Sequence, residues 1–140
     1  MLDHTFQTGV RIREEVLGSE HYNRTVEARN AFDDEFHEFV SEYCWGAAWG
    51  RGILSRQKRS ILNLGMLAAL GRNREFEIHF RAALLRNKVP LEELREVLMQ
   101  VAVYCGVPAA VEAFSIAKKV LAEENIDLSG LHRVTPVKPA

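Results

Sequence analysis

The apolar residues of this sequence recur with helical spacing, and no stretch sustains the alternation that marks a half-buried β-strand. Capping residues, glycines and prolines divide the chain into about six predicted helices. These helices cover residues 10–30 with a break at 18–19, then 34–49, 55–70, 73–88, 92–105 and 109–121. We therefore expect an all-α fold, a bundle of about six helices with short connections.

Local signals set several of these boundaries. Ser55 is expected to cap the third helix and Gly71 to follow its end, because serine favours the N-cap position and glycine the C′ position. Asn73 is expected to cap the fourth helix, and Pro90 to prevent its continuation. The second helix carries an apolar stripe at helical spacing: Phe36, Phe39, Val40, Tyr43 and Cys44.

With 140 residues, the chain has the length of one domain, and we expect residues 1–140 to form a single domain. Residues 125–140 lose the helical pattern and contain prolines, so we expect a tail that is either mobile or docked on a neighbour. The third and fifth helices are apolar around much of their circumference. We therefore expect part of their surface to be buried between copies of the chain.

The charge is nearly balanced, with 18 Lys and Arg against 19 Asp and Glu. This balance excludes a generic basic nucleic-acid binder and a polybasic membrane-surface protein. No window is apolar enough for a membrane span, and no secretory signal is visible at the amino terminus, so we expect a cytoplasmic protein. Cys44 and Cys105 have neither metal-site nor redox spacing, and we expect two buried thiols.

His79 lies in the middle of the fourth predicted helix and could give or take a proton near neutral pH. The alternative is a histidine with a purely structural role. The other histidines fall on charged or terminal segments, and we expect them at the surface: His4, His21, His37 and His132.

Trp45 and Trp49 are four residues apart and share one helix face. Two interpretations stay open for this pair. The rings are either part of the core or the aromatic wall of a small-molecule pocket.

Basic residues cluster around the start of the third helix: Arg51, Arg56, Lys58 and Arg59. A solvated patch would explain the cluster, but arginine also binds carboxylates through two parallel hydrogen bonds. Arg59 precedes the most apolar part of that helix, which favours burial toward an anionic ligand. Arg81 follows His79 by two residues, so it lies roughly on the opposite face and reaches the same pocket less readily.

The sequence lacks the common nucleotide, zinc-protease, acyl-hydrolase and calcium motifs. Five segments together, spread from about residue 8 to about residue 124, resemble the 4-carboxymuconolactone decarboxylase family in order and spacing. They are residues 10–18 (VRIREEVLG), 45–49 (WGAAW), 59–61 (RSI), 79–83 (HFRAA) and 101–110 (VAVYCGVPAA).

The resemblance implies the all-helical fold of the alkylhydroperoxidase D-like superfamily and a homo-oligomer, commonly a hexamer built as a trimer of dimers. It implies conversion of 4-carboxymuconolactone, a dicarboxylate lactone, to the β-ketoadipate enol-lactone and CO₂, with no cofactor and no metal. It places this reaction in aromatic-acid catabolism. The alternatives are a paralogue acting on another small carboxylic acid or lactone, and an oligomeric scaffold without activity.

The resemblance also exposes differences. Peroxidases of the superfamily carry a cysteine pair that would fall at Arg72 and Glu75 and a glutamate that would fall at Ser60, so thiol peroxidase activity is disfavoured. Residues 51–54 (RGIL) replace the usual Arg-Pro-Gly-Leu, and residues 86–88 (RNK) the usual Asn-Asn-Gly. If these loops line the pocket, they bear on the identity of the substrate.

The implied reaction assigns roles to the candidates. His79 would be the general acid and Tyr104 a weaker second donor. Arg59, together with Arg51, would bind the substrate carboxylates, with Arg81 a further candidate. Trp45 and Trp49 would form a dry wall that favours loss of CO₂.

Overall fold

The computed structural model describes residues 2–140, and these residues form helices without a β-strand among them. Seven α-helices and one π-helical segment follow one another along the chain. They are α1 (Leu2–Leu17), α2 (Ser19–Ala28), α3 (Asp34–Val40), the π segment (Ser41–Trp49), α4 (Arg56–Ala69), α5 (Asn73–Leu85), α6 (Leu91–Cys105) and α7 (Val107–Glu123). The all-α prediction is confirmed.

Two differences from the predicted bundle concern the amino-terminal half. The predicted break at residues 18–19 is confirmed, because Gly18 adopts a φ of 91° that glycine tolerates and other residues rarely do, but α1 already begins at Leu2. The predicted helix over 34–49 changes its hydrogen bonding at Ser41 and continues as a π-helix, a rare form that is frequent at functional sites.

The larger core lies among α4, α5, α6 and α7, which pack against one another as a four-helix group. Its largest fully buried side chains include Phe76 and Phe80 on α5 and Leu64 on α4. On α7 the buried positions are mostly alanine, which allows a close approach to α5 and α6. This group holds α5 in place, and α5 carries His79.

A smaller core joins α1 to the π segment through Ile12, Val16 and Trp45. The two backbones touch at a pair of glycines. A β-carbon on Gly9 would overlap the carbonyl oxygen of Ser41, and one on Gly46 would overlap that of Thr5. This contact fixes the π segment against α1 and thereby positions Trp45.

The predicted ends of α4 are confirmed. The Ser55 hydroxyl accepts a hydrogen bond from the Lys58 backbone N–H at 3.2 Å, and Gly71 follows the helix with a φ of 68°. The predicted cap of α5 is wrong by one residue, since Arg72 occupies the N-cap. Asn73 instead donates its side-chain N–H to Glu112 of α7 at 2.6 Å, which ties these two helices together.

Several apolar side chains remain exposed on the single chain. Phe36, Phe39 and Tyr43, from the stripe of the second predicted helix, are 58–63% exposed, because the side facing α1 carries Ser41 and Trp45 instead. Cys105 is exposed and Cys44 partly buried, so the prediction of two buried thiols is wrong for Cys105. None of the helices in the described part of the chain combines the length and hydropathy that crossing a membrane requires.

Candidate active site

A cavity of about 880 Å³ opens between the amino-terminal helices and α5. Its wall takes Arg13 from α1, Trp45 and Trp49 from the π segment, and His79 from α5, with His21 of α2 at its side. The cavity therefore lies where the smaller core meets the four-helix group. Its volume suits a small organic molecule.

Three aromatic rings stack along one wall of this cavity. The ring centroids of Trp45 and Trp49 are 5.0 Å apart, and His79 lies 6.2 Å from Trp45 and 6.4 Å from Trp49, with planes within 29° of parallel. Trp45 is only 6% exposed and also belongs to the smaller core. The tryptophan pair thus packs against the smaller core and also lines the cavity.

The imidazole of His79 is partly buried and uncharged at neutral pH. Burial, with a smaller contribution from the neighbouring His21, lowers the pKa of His79 to about 4, and Glu75 opposes the change. No residue that the structure describes donates or accepts a hydrogen bond at the ring. The nitrogens are therefore left to interact with whatever enters the cavity.

Arg13 is a cavity residue that the sequence analysis did not identify. It is only 8% exposed, and its Nε and Nη1 atoms are buried without a hydrogen-bond partner among the described residues. A signal was present in the sequence: Arg13 lies three and four residues before Val16 and Leu17, on the apolar face of α1. Arg11, in contrast, precedes Glu15 by four residues and is exposed.

The arginines near the start of α4 differ in whether they reach the cavity. Arg51 lines the cavity. Arg59 lies outside the lining, and its Nη2 donates a hydrogen bond to the Arg51 carbonyl at 3.0 Å, so it contacts the site through that loop. Arg56 forms an ion pair of 2.6 Å with Glu15 of α1.

Arg81 and Tyr104 are placed away from the cavity that contains His79. Arg81 pairs with Glu77 on its own helix and with Glu123 and Glu124 at the end of α7. Tyr104 is 78% exposed near the end of α6 and lies outside the lining. Neither side chain reaches His79 within one chain.

A second cavity, of about 910 Å³, adjoins the first and shares part of its lining. His21 and His37 line both cavities and are partly buried, so the prediction that they lie on the open surface is wrong. The His37 ring is 3.2 Å from the Asp33 carboxylate. Arg81 lines this second cavity.

Neither of the loops that differ from the family pattern contributes much to the site. Residues 86–88 lie outside the lining and are held elsewhere, with Asn87 donating to the Ser60 hydroxyl at 2.7 Å and Arg86 to the Glu15 carbonyl at 3.1 Å. Of residues 51–54, only Arg51 reaches the cavity. Among the side chains that the structure describes, no three from His, Cys, Asp or Glu gather closely enough to hold a metal ion together.

Comparisons with known proteins agree with this architecture. The model of the carboxymuconolactone decarboxylase family matches residues 34–119, from the start of α3 into α7. A 4-carboxymuconolactone decarboxylase of Acinetobacter baylyi is 37% identical over 121 residues, which are 86% of this chain and 90% of that protein. A nitrosuccinic acid decarboxylase of Metarhizium robertsii is 34% identical over 116 residues, 83% of this chain and 80% of that protein.

Proposed function

The chain belongs to the carboxymuconolactone decarboxylase family and is a carboxy-lyase, and we propose that it converts 4-carboxymuconolactone to the β-ketoadipate enol-lactone and CO₂. The observation that carries this proposal is the stacking of His79 on two tryptophans in a cavity lined by arginines. A proton donor, a dry wall and positive charge are what the reaction requires. The similarity to the bacterial enzyme over most of both chains supports the same substrate.

The proposed chemistry begins with breakage of the bond between the ring carbon and the departing carboxylate. The electron pair of that bond spreads toward the lactone carbonyl, and CO₂ leaves. The resulting dienolate then takes a proton at carbon. Positive groups that line the cavity stabilise the developing negative charge, which is the general way enzymes stabilise such intermediates.

His79 is the proposed proton donor to that carbon. With the cavity empty it is uncharged, since its pKa is about 4. A bound dianion would raise this pKa, because an opposite charge nearby favours the protonated imidazole. The proton would thus be taken from solvent as the substrate binds, passed to carbon after CO₂ leaves, and replaced in the next turnover.

The other predicted site residues differ in how directly they would contact the substrate. Arg51 binds a carboxylate at the cavity, and Arg59 positions the Arg51 backbone through its hydrogen bond. Arg81 and Tyr104 would reach a substrate only where several chains assemble. We propose that the protein is a homo-oligomer such as a hexamer. The exposed apolar side chains support such an assembly.

A second candidate substrate is a nitro-substituted or otherwise activated small dicarboxylic acid. The similarity to a nitrosuccinic acid decarboxylase over 83% of this chain favours it. A nitro group, like a lactone carbonyl, can accept the electron pair that CO₂ leaves behind. Both candidates therefore use the same proton donor and differ in the acceptor.

Replacement of His79 tests the proposed proton donor. We expect His79→Gln to keep the fold and the assembly state while turnover falls by about 10²-fold or more, the usual contribution of general acid catalysis. The measurement is CO₂ release and the ultraviolet change with 4-carboxymuconolactone and, in parallel, nitrosuccinate. His132→Gln, at an exposed position outside the cavity, is the control and should behave as the wild type.

Two results would contradict the proposal. Turnover close to wild type in His79→Gln would remove His79 from the mechanism. Wild-type turnover of nitrosuccinate but not of 4-carboxymuconolactone would replace the first substrate with the second.

A further inference from the structure

Arg13 is a buried cation for which the described chain provides no counter-charge. Its side chain is more than nine-tenths buried, its Nε and Nη1 atoms lack acceptors, and no carboxylate of the described chain pairs with it. A buried charge without a partner is strongly unfavourable, so proteins rarely keep one without a use for it. Burial lowers the pKa of Arg13, and the nearby charge of Arg29 lowers it further.

A second arginine repeats the pattern beside it. Arg29 directly follows α2, outside the cavity lining, and its Nε and Nη2 atoms are also buried without acceptors among the described residues. Arg24, Arg56 and Arg81, in contrast, form ion pairs with glutamates. Arg59 also has a buried Nε atom without a partner, but only this one of its nitrogens is affected, and Nη2 donates to the Arg51 carbonyl. Two neighbouring guanidinium groups that repel each other and lack acceptors are what a site for an anion requires when the anion is absent.

The cavity places Arg13 where a substrate anion would bind. Arg13 lines the same cavity as His79 and the two tryptophans, and α1 packs directly against α5. Three arginines line this cavity, Arg13, Arg51 and Arg74, whereas Glu75 is the one carboxylic acid among its lining residues. The cavity thus carries an excess of positive charge next to the proposed proton donor.

We propose that Arg13 binds the carboxylate that the substrate keeps, and so makes the enzyme selective for dicarboxylates. This inference rests on the proposed decarboxylation and adds the residue that recognises the substrate. The retained carboxylate is the one assigned because a guanidinium on the departing carboxylate would stabilise the ground state more than the transition state, and would slow the reaction.

Binding of an unreactive dicarboxylate separates this inference from the catalytic one. The probe is succinate, with succinamate as its monocarboxylate counterpart, and the readout is the fluorescence of Trp45 and Trp49. In the wild type we expect saturable binding of succinate at least about 10-fold tighter than that of succinamate, the scale of a charge-assisted hydrogen bond. In Arg13→Gln that preference should be lost.

The matched control is Arg11→Gln, which removes an exposed arginine two residues away on the same helix and should keep the preference. Arg13→Lys keeps the charge but not the paired geometry, and should show an intermediate preference. A further measurement uses only the wild-type protein and so does not depend on the folding of a variant. In wild-type protein, the ¹⁵N resonance of Arg13 Nε should shift, and its proton exchange should slow, on addition of succinate but not succinamate.

Three results would overturn the inference. They are an absence of saturable succinate binding by the wild type, an unchanged preference in Arg13→Gln, and a loss of assembly in Arg13→Gln with succinate binding intact. The last would assign Arg13 to a carboxylate of another copy of the chain. If succinate binding depends on Arg13 but no lactone is decarboxylated, the proposed substrate fails while this inference stands.

Discussion

His79 links the stability of the chain to its chemistry, because the burial that suits it to the cavity also keeps it uncharged. Its pKa of about 4 in the folded state lies below the ordinary value of 6.5 that the unfolded chain would show. Above pH 6.5, His79 is uncharged in both states, and the folded state keeps its full stability. As the pH falls from about 6.5 to about 4, the unfolded chain takes up a proton at this residue and the folded chain does not, so the free energy of unfolding decreases. Below about 4 the folded state also takes up the proton.

The residue-scale prediction concerns unfolding at two pH values. Between pH 7.5 and pH 4.5 we expect His79 to account for a loss of about 2–3 kcal/mol in the free energy of unfolding. Urea titrations of the wild type and His79→Gln at equal protomer concentration measure the contribution of His79 to this loss. The free energy of unfolding of the variant should fall by about 2–3 kcal/mol less on acidification. An identical pH dependence in both proteins would show that His79 is not held neutral by the fold.

Sequence patterns identified only some of the individual residues of the site. The spacing of Trp45 and Trp49 and the position of His79 were sufficient to nominate all three, and the structure brings them together. Arg13 was missed because a charged residue on an amphipathic helix is usually solvated, and Arg11 and Arg13 differ only in helical phase. Arg81 was nominated by its closeness to His79 in sequence, yet ion pairs with α7 hold it elsewhere.

At the scale of elements, the contact between α1 and the π segment determines where the tryptophans stand. The contact is made by backbone against backbone at Gly9 and Gly46, with no room for a β-carbon at either. The glycines are visible in the sequence, but their pairing across 37 positions is not. The change from α-helical to π-helical hydrogen bonding at Ser41 likewise leaves no mark in the apolar spacing, so the second helix was predicted as one regular element.

The element-scale prediction is that Gly9→Ala weakens this contact. We expect a loss of about 1–3 kcal/mol in the free energy of unfolding, the usual cost of forcing extra atoms into a packed interior, with a change in tryptophan fluorescence. The measurement is a denaturant titration followed by that fluorescence.

Gly65→Ala on α4 is the control, because an added β-carbon there meets nothing within 4 Å and alanine favours a helix by about 1 kcal/mol. Gly65→Ala should therefore be neutral or slightly stabilising. Equal stability of the two variants would mean that α1 and the π segment are not in close contact.

At the scale of the whole molecule, the outer face of α4 carries a stripe of exposed apolar side chains four residues apart. Leu62, Met66 and Leu70 are 52%, 47% and 70% exposed. Further exposed apolar residues follow on α6 and α7: Met99, Val103, Val107 and Val111. The sequence anticipated this excess of apolar surface, since the third and fifth predicted helices were apolar around much of their circumference.

The whole-molecule prediction is that the α4 stripe is an interface between copies of the chain. We expect Met66→Glu to lower the mass of the assembly, because it places a charge where apolar surfaces meet. Sedimentation velocity measures the mass of the wild type and the variant. Asn23→Glu on α2 is the control, since Asn23 is exposed and lies outside the stripe, and its replacement should leave the assembly unchanged.

A wild-type chain that sediments as a monomer would contradict this prediction. So would an unchanged mass for Met66→Glu. Either result would leave the apolar stripe without the partner surface that we assign to it.

The helices that contribute side chains to the cavity are partly separate from the helices that form the larger core, and this separation bears on how such a protein acquires new substrates. Neither α2 nor α3 contains a fully buried residue, yet both contribute side chains to the cavity, among them His21, Thr25 and Phe36. Mutations there can reshape the recognition surface while the four-helix group that holds His79 stays intact. Evolution, or a protein engineer, could thus change the specificity of this scaffold by altering its first third and leaving the proposed proton donor in place.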